Sequence, residues 1–234
     1  MKNLRRLLWV IALFPWFDLA IRQALPSFVG SIWDEVLLLA VLTLLVVYKR
    51  HEQRYTVIPR SVEWPFVVFV LCAAASVMAR VVPLAVSIDA LRVIFQPMLF
   101  AAATMYLMDD EDTLDIFLRV LVISTVCIAL VGIVQYALKL DFGLWQHSKD
   151  TAQFRITSIF SNPNALGSYF NMVLAFTLSS VLLRGDLKHK LLYLAASGVI
   201  GVALLLTFSR SALIAFMVMV LYYIFVWNKK WLLV

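Results

Sequence analysis

The fold of this chain is decided by long apolar runs, and the clearest of them is residues 116–138, IFLRVLVISTVCIALVGIVQYAL. A helix needs about 20 predominantly apolar residues to cross the hydrocarbon core of a bilayer. This run reaches that length with a single charged residue, Arg119. It therefore predicts a membrane-spanning helix.

The composition extends this prediction to the whole chain. Of the 234 residues, 63% are apolar and 15% are charged, whereas a soluble domain carries roughly half apolar and about a quarter charged residues. These values exclude a soluble globular enzyme, a disordered tail, a collagen-like chain and a disulfide scaffold. We therefore predict an all-α fold, a polytopic bundle of membrane helices that forms one domain over residues 1–234.

Charged segments divide the chain into about eight membrane-spanning helices. Their predicted cores lie near residues 7–26, 34–48, 63–79, 89–108, 116–138, 164–183, 190–207 and 211–227. The longest external segment is then the loop 139–163, between the fifth and sixth spans.

The distribution of Lys and Arg predicts the orientation. With the N-terminus inside, most of the 20 basic residues fall on cytoplasmic segments, and both chain ends are cytoplasmic. The net charge of +6 is thereby explained as a topology signal. We predict membrane lipids as partners and no nucleic acid.

Two helix starts on the outer face combine caps with arginines. Asn162 is a good N-cap, Pro163 suits the first helical position, and Asn164 follows, with Arg155 upstream. A free helix N-terminus attracts anions.

The last span repeats the arrangement. Ser209 or Ser211 can cap this helix, with Arg210 between them and almost no loop before it. Each serine remains a candidate cap.

Two further arginines are predicted in the same layer. Arg92 lies one turn inside the fourth span and Arg80 at the outer end of the third. An arginine at the end of a span, such as Arg80, is more often a snorkelling anchor than a ligand. Arg92 is equally explained as the partner of Asp89 or Asp34. Together, the four arginines and the helix starts predict a site for a membrane-borne phosphate or diphosphate.

Other polar and small residues give weaker signals. His147, in the external loop, is a weak candidate for a general base. Gly198 and Gly201 in the seventh span predict close helix packing. The sequence contains no metal-ligand spacing and no nucleotide-binding motif, so we predict no metal and no cofactor.

Two motifs carry a family resemblance. The stretch RITSIFSNPNAL, residues 155–166, one hairpin and then LLLTFSRSA, residues 204–212, resemble the O-antigen ligase and O-antigen polymerase superfamily of bacterial polysaccharide assembly. The resemblance implies a glycosyltransferase in the bacterial cytoplasmic (inner) membrane, with its active face external. Such an enzyme transfers a glycan from an undecaprenyl-diphosphate-linked donor to the hydroxyl of an acceptor glycan or lipid, with inversion and without metal. The resemblance also implies that Arg155 and Arg210 bind the diphosphate.

The chain departs from this family in length. Family members carry further spans and a large external loop after the second motif, and the catalytic base is expected there. We therefore interpret the chain as an N-terminal portion, a split gene product or a degenerate member. Two alternatives stay open: a transporter or flippase of an anionic lipid-linked substrate, and a non-catalytic membrane subunit of a glycan assembly complex.

Overall fold

The structure is a computed structural model, and it describes residues 9–24, 111–140, 154–183 and 186–231 together with isolated positions and short runs between 33 and 99. Within these residues every regular element is a helix, which confirms the predicted all-α class. The helices are α1 Phe14–Ala24, α2 Glu111–Leu138, α3 Pro163–Leu183, α4 Leu187–Leu206 and α5 Arg210–Trp231.

Among the described residues, three helices are long and apolar enough to cross a membrane: Asp112–Leu138, Pro163–Leu182 and Leu187–Leu206. Many of their exposed side chains are large and apolar, Ile123 and Leu192 among them. An apolar exterior of this extent is unusual for a soluble protein and fits contact with lipid. The chain is therefore a membrane protein.

The described helices overlap five of the predicted spans. The spans predicted at 116–138, 164–183, 190–207 and 211–227 correspond to α2, α3, α4 and α5, and α1 lies inside the span predicted at 7–26. The spans predicted at 34–48, 63–79 and 89–108 fall largely outside the described residues.

The chain divides into two compact units, Met1–Ile11 with Ala24–Thr113 and Ala12–Gln23 with Leu114–Val234. In the second unit α3 packs along α4 and also contacts α5. The core between these helices and α2 is completely buried at seven apolar positions: Ile128, Ala129, Leu166, Phe170, Val173, Ile200 and Ala203.

Hydrogen bonds between side chains tie the helices of the second unit together. In a bilayer, tight packing and such polar contacts hold helices together, because lipid tails are as apolar as the helix surfaces. The bonded pairs are Trp16–Ser124, Thr125–Tyr169, Thr177–Ser197 and Ser179–Tyr223, with donor–acceptor distances of 2.8, 2.9, 2.7 and 2.6 Å.

Among the described residues, the glycines at close helix contacts are Gly132 and Gly167. At Gly198 and Gly201 a Cβ would meet no atom of the described residues within 4 Å other than those of its chain neighbours and its own helix backbone, so the close packing predicted for this pair is not found in this part of the chain. A Cβ at Gly132 would instead lie 2.8 Å from the Ile156 side chain, and one at Gly167 would lie 2.7 Å from the Ala212 Cβ. Spacing alone could not reveal which face of each helix meets a neighbour.

The segment after α2 begins with a defined helix stop. Lys139 adopts a positive φ of 50°. Its N–H donates to the Tyr136 carbonyl, and the Leu140 N–H donates to the Gln135 carbonyl. This is the pairing that ends a helix through one left-handed residue. Of the loop predicted at 139–163, the structure describes residues 139–140 and the non-helical stretch 154–162.

Candidate functional site

The start of α3 is capped as its sequence predicts. The Asn162 side-chain oxygen accepts the Ala165 N–H at 2.8 Å, and Pro163 takes the first helical position. This satisfies one of the N–H groups that a helix start leaves without an intrahelical partner. Asn164 occupies the second helical position with its side chain exposed.

The junction between α4 and α5 is a tight turn of three residues. Thr207 closes α4, and its N–H donates to the carbonyls of Ala203 and Leu204. Phe208 follows with a positive φ of 49°. Ser209 then caps α5, since its Oγ accepts the Ala212 N–H at an N···O distance of 3.4 Å.

The structure thereby distinguishes the two candidate caps. Ser209 is fully buried at the N-cap position, whereas Ser211 is exposed one residue inside the helix, with its Oγ 3.3 Å from the Ser209 Oγ. The capping residue of α5 is Ser209.

The first turns of α3 and α5 lie side by side. Gly167 makes this possible, because any Cβ there would overlap Ala212 in the first turn of α5. One turn further along α3, the Asn171 side-chain N–H donates to the Ala212 carbonyl at 2.7 Å. Two helix N-termini, each with partial positive charge, are therefore held next to each other.

Arg155 joins the two sequence motifs. Its Nε donates to the Thr207 carbonyl at 2.8 Å, and its Nη2 donates to the Asn164 side-chain oxygen at 3.0 Å. Both acceptors are neutral oxygens, and together these two bonds orient the guanidinium plane. Partial burial lowers the pKa of Arg155 from its usual value, and an arginine remains protonated even so.

The backbone next to Arg155 is also held by a hydrogen bond and by burial. The Ile156 N–H donates to the Leu206 carbonyl at the end of α4, and the Ile156 side chain is completely buried. The segment that carries Arg155 and Ile156 therefore lies against the same end of the bundle at which α3 and α5 begin.

Arg210 occupies the first position of α5 with an exposed side chain. It lies three residues beyond Thr207, the residue whose carbonyl Arg155 binds. Within the described part of the chain it forms no hydrogen bond or ion pair. Arg155 is thus held by hydrogen bonds to the protein, whereas the Arg210 side chain is exposed at the same end of the bundle.

The structure does not test the remaining predicted site residues. Arg80, Arg92 and His147 lie outside the described residues. Among the residues that the structure describes, no group of His, Cys, Asp and Glu has the geometry to hold a metal ion.

A buried polar cluster beside the site was missed in the sequence. The Gln135 side-chain oxygen accepts the N–H groups of Thr157 and Ser158 at 3.0 and 2.8 Å, and its Nε2 lies 3.3 Å from the Thr157 hydroxyl oxygen, to which it donates. The available signal was a glutamine in a predominantly apolar span, because polar residues inside a membrane are costly and usually functional.

Comparison with known proteins gives no relative: no protein-family model, no curated protein and no solved structure matches this chain.

Proposed function

We propose that this chain is a membrane glycosyltransferase-type protein, or the donor-binding part of one, that takes a glycan from an undecaprenyl-diphosphate carrier during cell-surface polysaccharide assembly. In this proposal Arg155 and Arg210 bind the diphosphate, and the starts of α3 and α5 add partial positive charge. The resemblance of both motifs to O-antigen ligases and polymerases supplies the reaction class.

The observation that supports the proposal most is the contact of Arg155 with both motifs. The residue binds Asn164 of the first motif and Thr207 of the second. Arginine matches phosphate oxygens through its planar set of N–H donors, and donors that are oriented beforehand need no reorganisation when charge develops. Arg155, oriented by two hydrogen bonds, and the exposed Arg210 at the same end of the bundle are together suited to an extended anion such as a diphosphate.

The chemistry follows from the donor. The oxygen of an acceptor hydroxyl attacks the anomeric carbon, the bond from that carbon to the diphosphate oxygen breaks, and the diphosphate leaves with the electron pair. The hydroxyl proton passes to a base, and attack opposite the leaving group inverts the anomeric carbon. The two arginines stabilise the charge that grows on the leaving diphosphate.

The proposal includes a location. With about eight spans and both chain ends in the cytoplasm, the site faces the outside of the bacterial cytoplasmic membrane. Donor and acceptor glycans are both present at that surface once the lipid-linked donor has crossed the membrane.

Binding of undecaprenyl diphosphate to the protein in nanodiscs tests the proposal. We expect Arg210→Ala to weaken binding about 10-fold or more, the effect of losing one charge-assisted contact. Arg210→Ala is the informative variant, since this side chain forms no bond within the described structure that its loss would break. Arg119→Ala is the matched control. It also removes one arginine, but Arg119 pairs with Asp115 near the start of α2 and is not part of the proposed site. Equal affinity of Arg210→Ala and wild type would contradict the proposal.

A second assay separates transfer from transport. Proteoliposomes that contain the lipid-linked donor and an acceptor are examined both for a new glycosidic bond and for movement of the donor across the bilayer. A new bond that is lost in Arg155→Ala supports the proposal. Movement without a new bond favours a flippase instead.

A further inference from the structure

The stretch that carries Arg155 docks on one face of α2. Ile128, Gly132 and Gln135 lie four and then three residues apart, so they share one side of this helix. The Ile128 carbonyl accepts the Ser158 hydroxyl at 2.8 Å. At Gly132 the absence of a side chain leaves room for Ile156, whose Cδ1 would lie 2.8 Å from a Cβ there.

Gln135 is the polar anchor of this face. Its side chain is 1% exposed, and it bonds to two consecutive backbone N–H groups and to one hydroxyl, more than twenty residues along the chain. A buried backbone N–H without an acceptor is strongly unfavourable. Loss of the Gln135 acceptor would leave two such groups, at Thr157 and Ser158, without this partner.

The anchored backbone has an unusual conformation. Ser158 adopts a positive φ of 50°, which a non-glycine residue adopts only where its surroundings enforce it. Its N–H bonds to Gln135 and its hydroxyl bonds to Ile128. Both contacts come from α2, so this helix holds the bend that follows Ile156 and Thr157.

From this geometry we infer that Gln135 is a positioning residue for the diphosphate site: by fixing Thr157 and Ser158 on α2, it sets the place of Arg155 against Asn164 and Thr207. The ligand in this inference comes from the proposed function, and the inference rests on it to that extent. The geometry comes from the contacts of the described residues alone. Neither sequence motif contains Gln135, and α2 contributes no arginine to the site. Its effect on binding passes through Arg155.

Trypsin cleavage after Arg155 tests the geometry without any ligand. We expect the Arg155–Ile156 bond of the wild type to be protected, because Ile156 is buried and its N–H is bonded to the Leu206 carbonyl. We expect Gln135→Leu in nanodiscs to be cut there about tenfold faster or more, since local opening becomes easier when buried donors lose their acceptor. Mass spectrometry identifies the fragment that begins at Ile156.

The matched control is Ser197→Ala. Ser197 is also buried, and its hydroxyl bonds to the Thr177 hydroxyl on α3 and to the Tyr193 carbonyl on its own helix. It lies on α4, away from the segment that carries Arg155. We expect its loss to leave cleavage after Arg155 unchanged. Equal cleavage of Gln135→Leu and wild type, or equally fast cleavage of Ser197→Ala, would overturn the inference.

A double-mutant cycle on undecaprenyl diphosphate binding tests whether Gln135 acts through Arg155. We expect Gln135→Leu to weaken binding about 10-fold in the wild-type background and not at all in Arg155→Ala, because residues that act through one another are not additive. An equal loss in both backgrounds would overturn the role in positioning. If wild-type protein binds no diphosphate, the proposed function fails, while the cleavage assay still decides the geometry.

Discussion

The Nε of Arg155 donates a hydrogen bond to the backbone carbonyl of Thr207 at 2.8 Å, across 52 residues of chain. Thr207 closes α4, where carbonyls lack intrahelical partners and the helix carries partial negative charge. The bond therefore stabilises the end of α4 while it holds the guanidinium beside the starts of α3 and α5. Arg155 thus has a structural role, and its proposed ligand role uses the orientation that this bond provides.

Arg155→Lys separates charge from geometry. An ammonium keeps the positive charge but cannot reproduce the planar fork that reaches Thr207 and Asn164 at once. We expect a loss of about 1–2 kcal/mol in the free energy of unfolding, since about one hydrogen bond is lost, and weaker diphosphate binding. Denaturation in detergent and binding in nanodiscs measure the two effects. Wild-type behaviour in both would show that the fork has no role.

Gly167→Ala tests the contact between α3 and α5. The added methyl group would overlap the Ala212 Cβ, and overpacking of this kind costs about 1–3 kcal/mol. Gly198→Ala is the matched control, because no described atom lies near that position. We expect it to be neutral or to stabilise by up to about 1 kcal/mol through helix propensity. Thermal unfolding compares the two, and the opposite order of stabilities would contradict the packing.

Ser209→Ala tests the cap of α5. Removing a serine cap typically costs about 0.5–2 kcal/mol, whereas the exposed Ser211→Ala should stay within about 0.5 kcal/mol of wild type. Thermal unfolding of both variants measures the difference. A larger loss of stability in Ser211→Ala than in Ser209→Ala would contradict the assignment of the cap to Ser209.

Acid should weaken the start of α4 through Asp186. This exposed N-cap accepts hydrogen bonds from His189 and from the Lys188 N–H, and these bonds, with His189 first, lower the pKa of its carboxyl group from 3.8. Because the folded state has the lower pKa, the stabilisation is complete above 3.8 and is lost as the pH falls through the folded-state pKa.

Asp186→Asn is the comparison for this pH effect, since asparagine also caps a helix but does not titrate. We expect its melting temperature to fall less than that of wild type when the pH is lowered below about 4. Parallel acid profiles for the two proteins would contradict a titrating cap.

Local signals in the sequence account for much of the site. Asn162 before Pro163 predicts the start of α3, and the Thr207–Ser209 turn predicts almost no loop between α4 and α5, because caps and turns depend on neighbouring residues. The contact of Arg155 with Thr207 could not be predicted, since its acceptor is a backbone carbonyl, which every residue has. Gln135 and Gly167 were missed for a related reason: their roles depend on how each helix is rotated against its neighbour.

The most direct test of the account locates the bound lipid. A photoreactive undecaprenyl diphosphate analogue, with its reactive group next to the diphosphate, is crosslinked to the protein in nanodiscs, and the labelled peptides are mapped by mass spectrometry. The account predicts labelling of the Arg155–Asn164 segment and of the Thr207–Ser211 turn, with both signals suppressed by excess unlabelled undecaprenyl diphosphate. Labelling confined to other segments, or labelling that unlabelled lipid does not suppress, would contradict it.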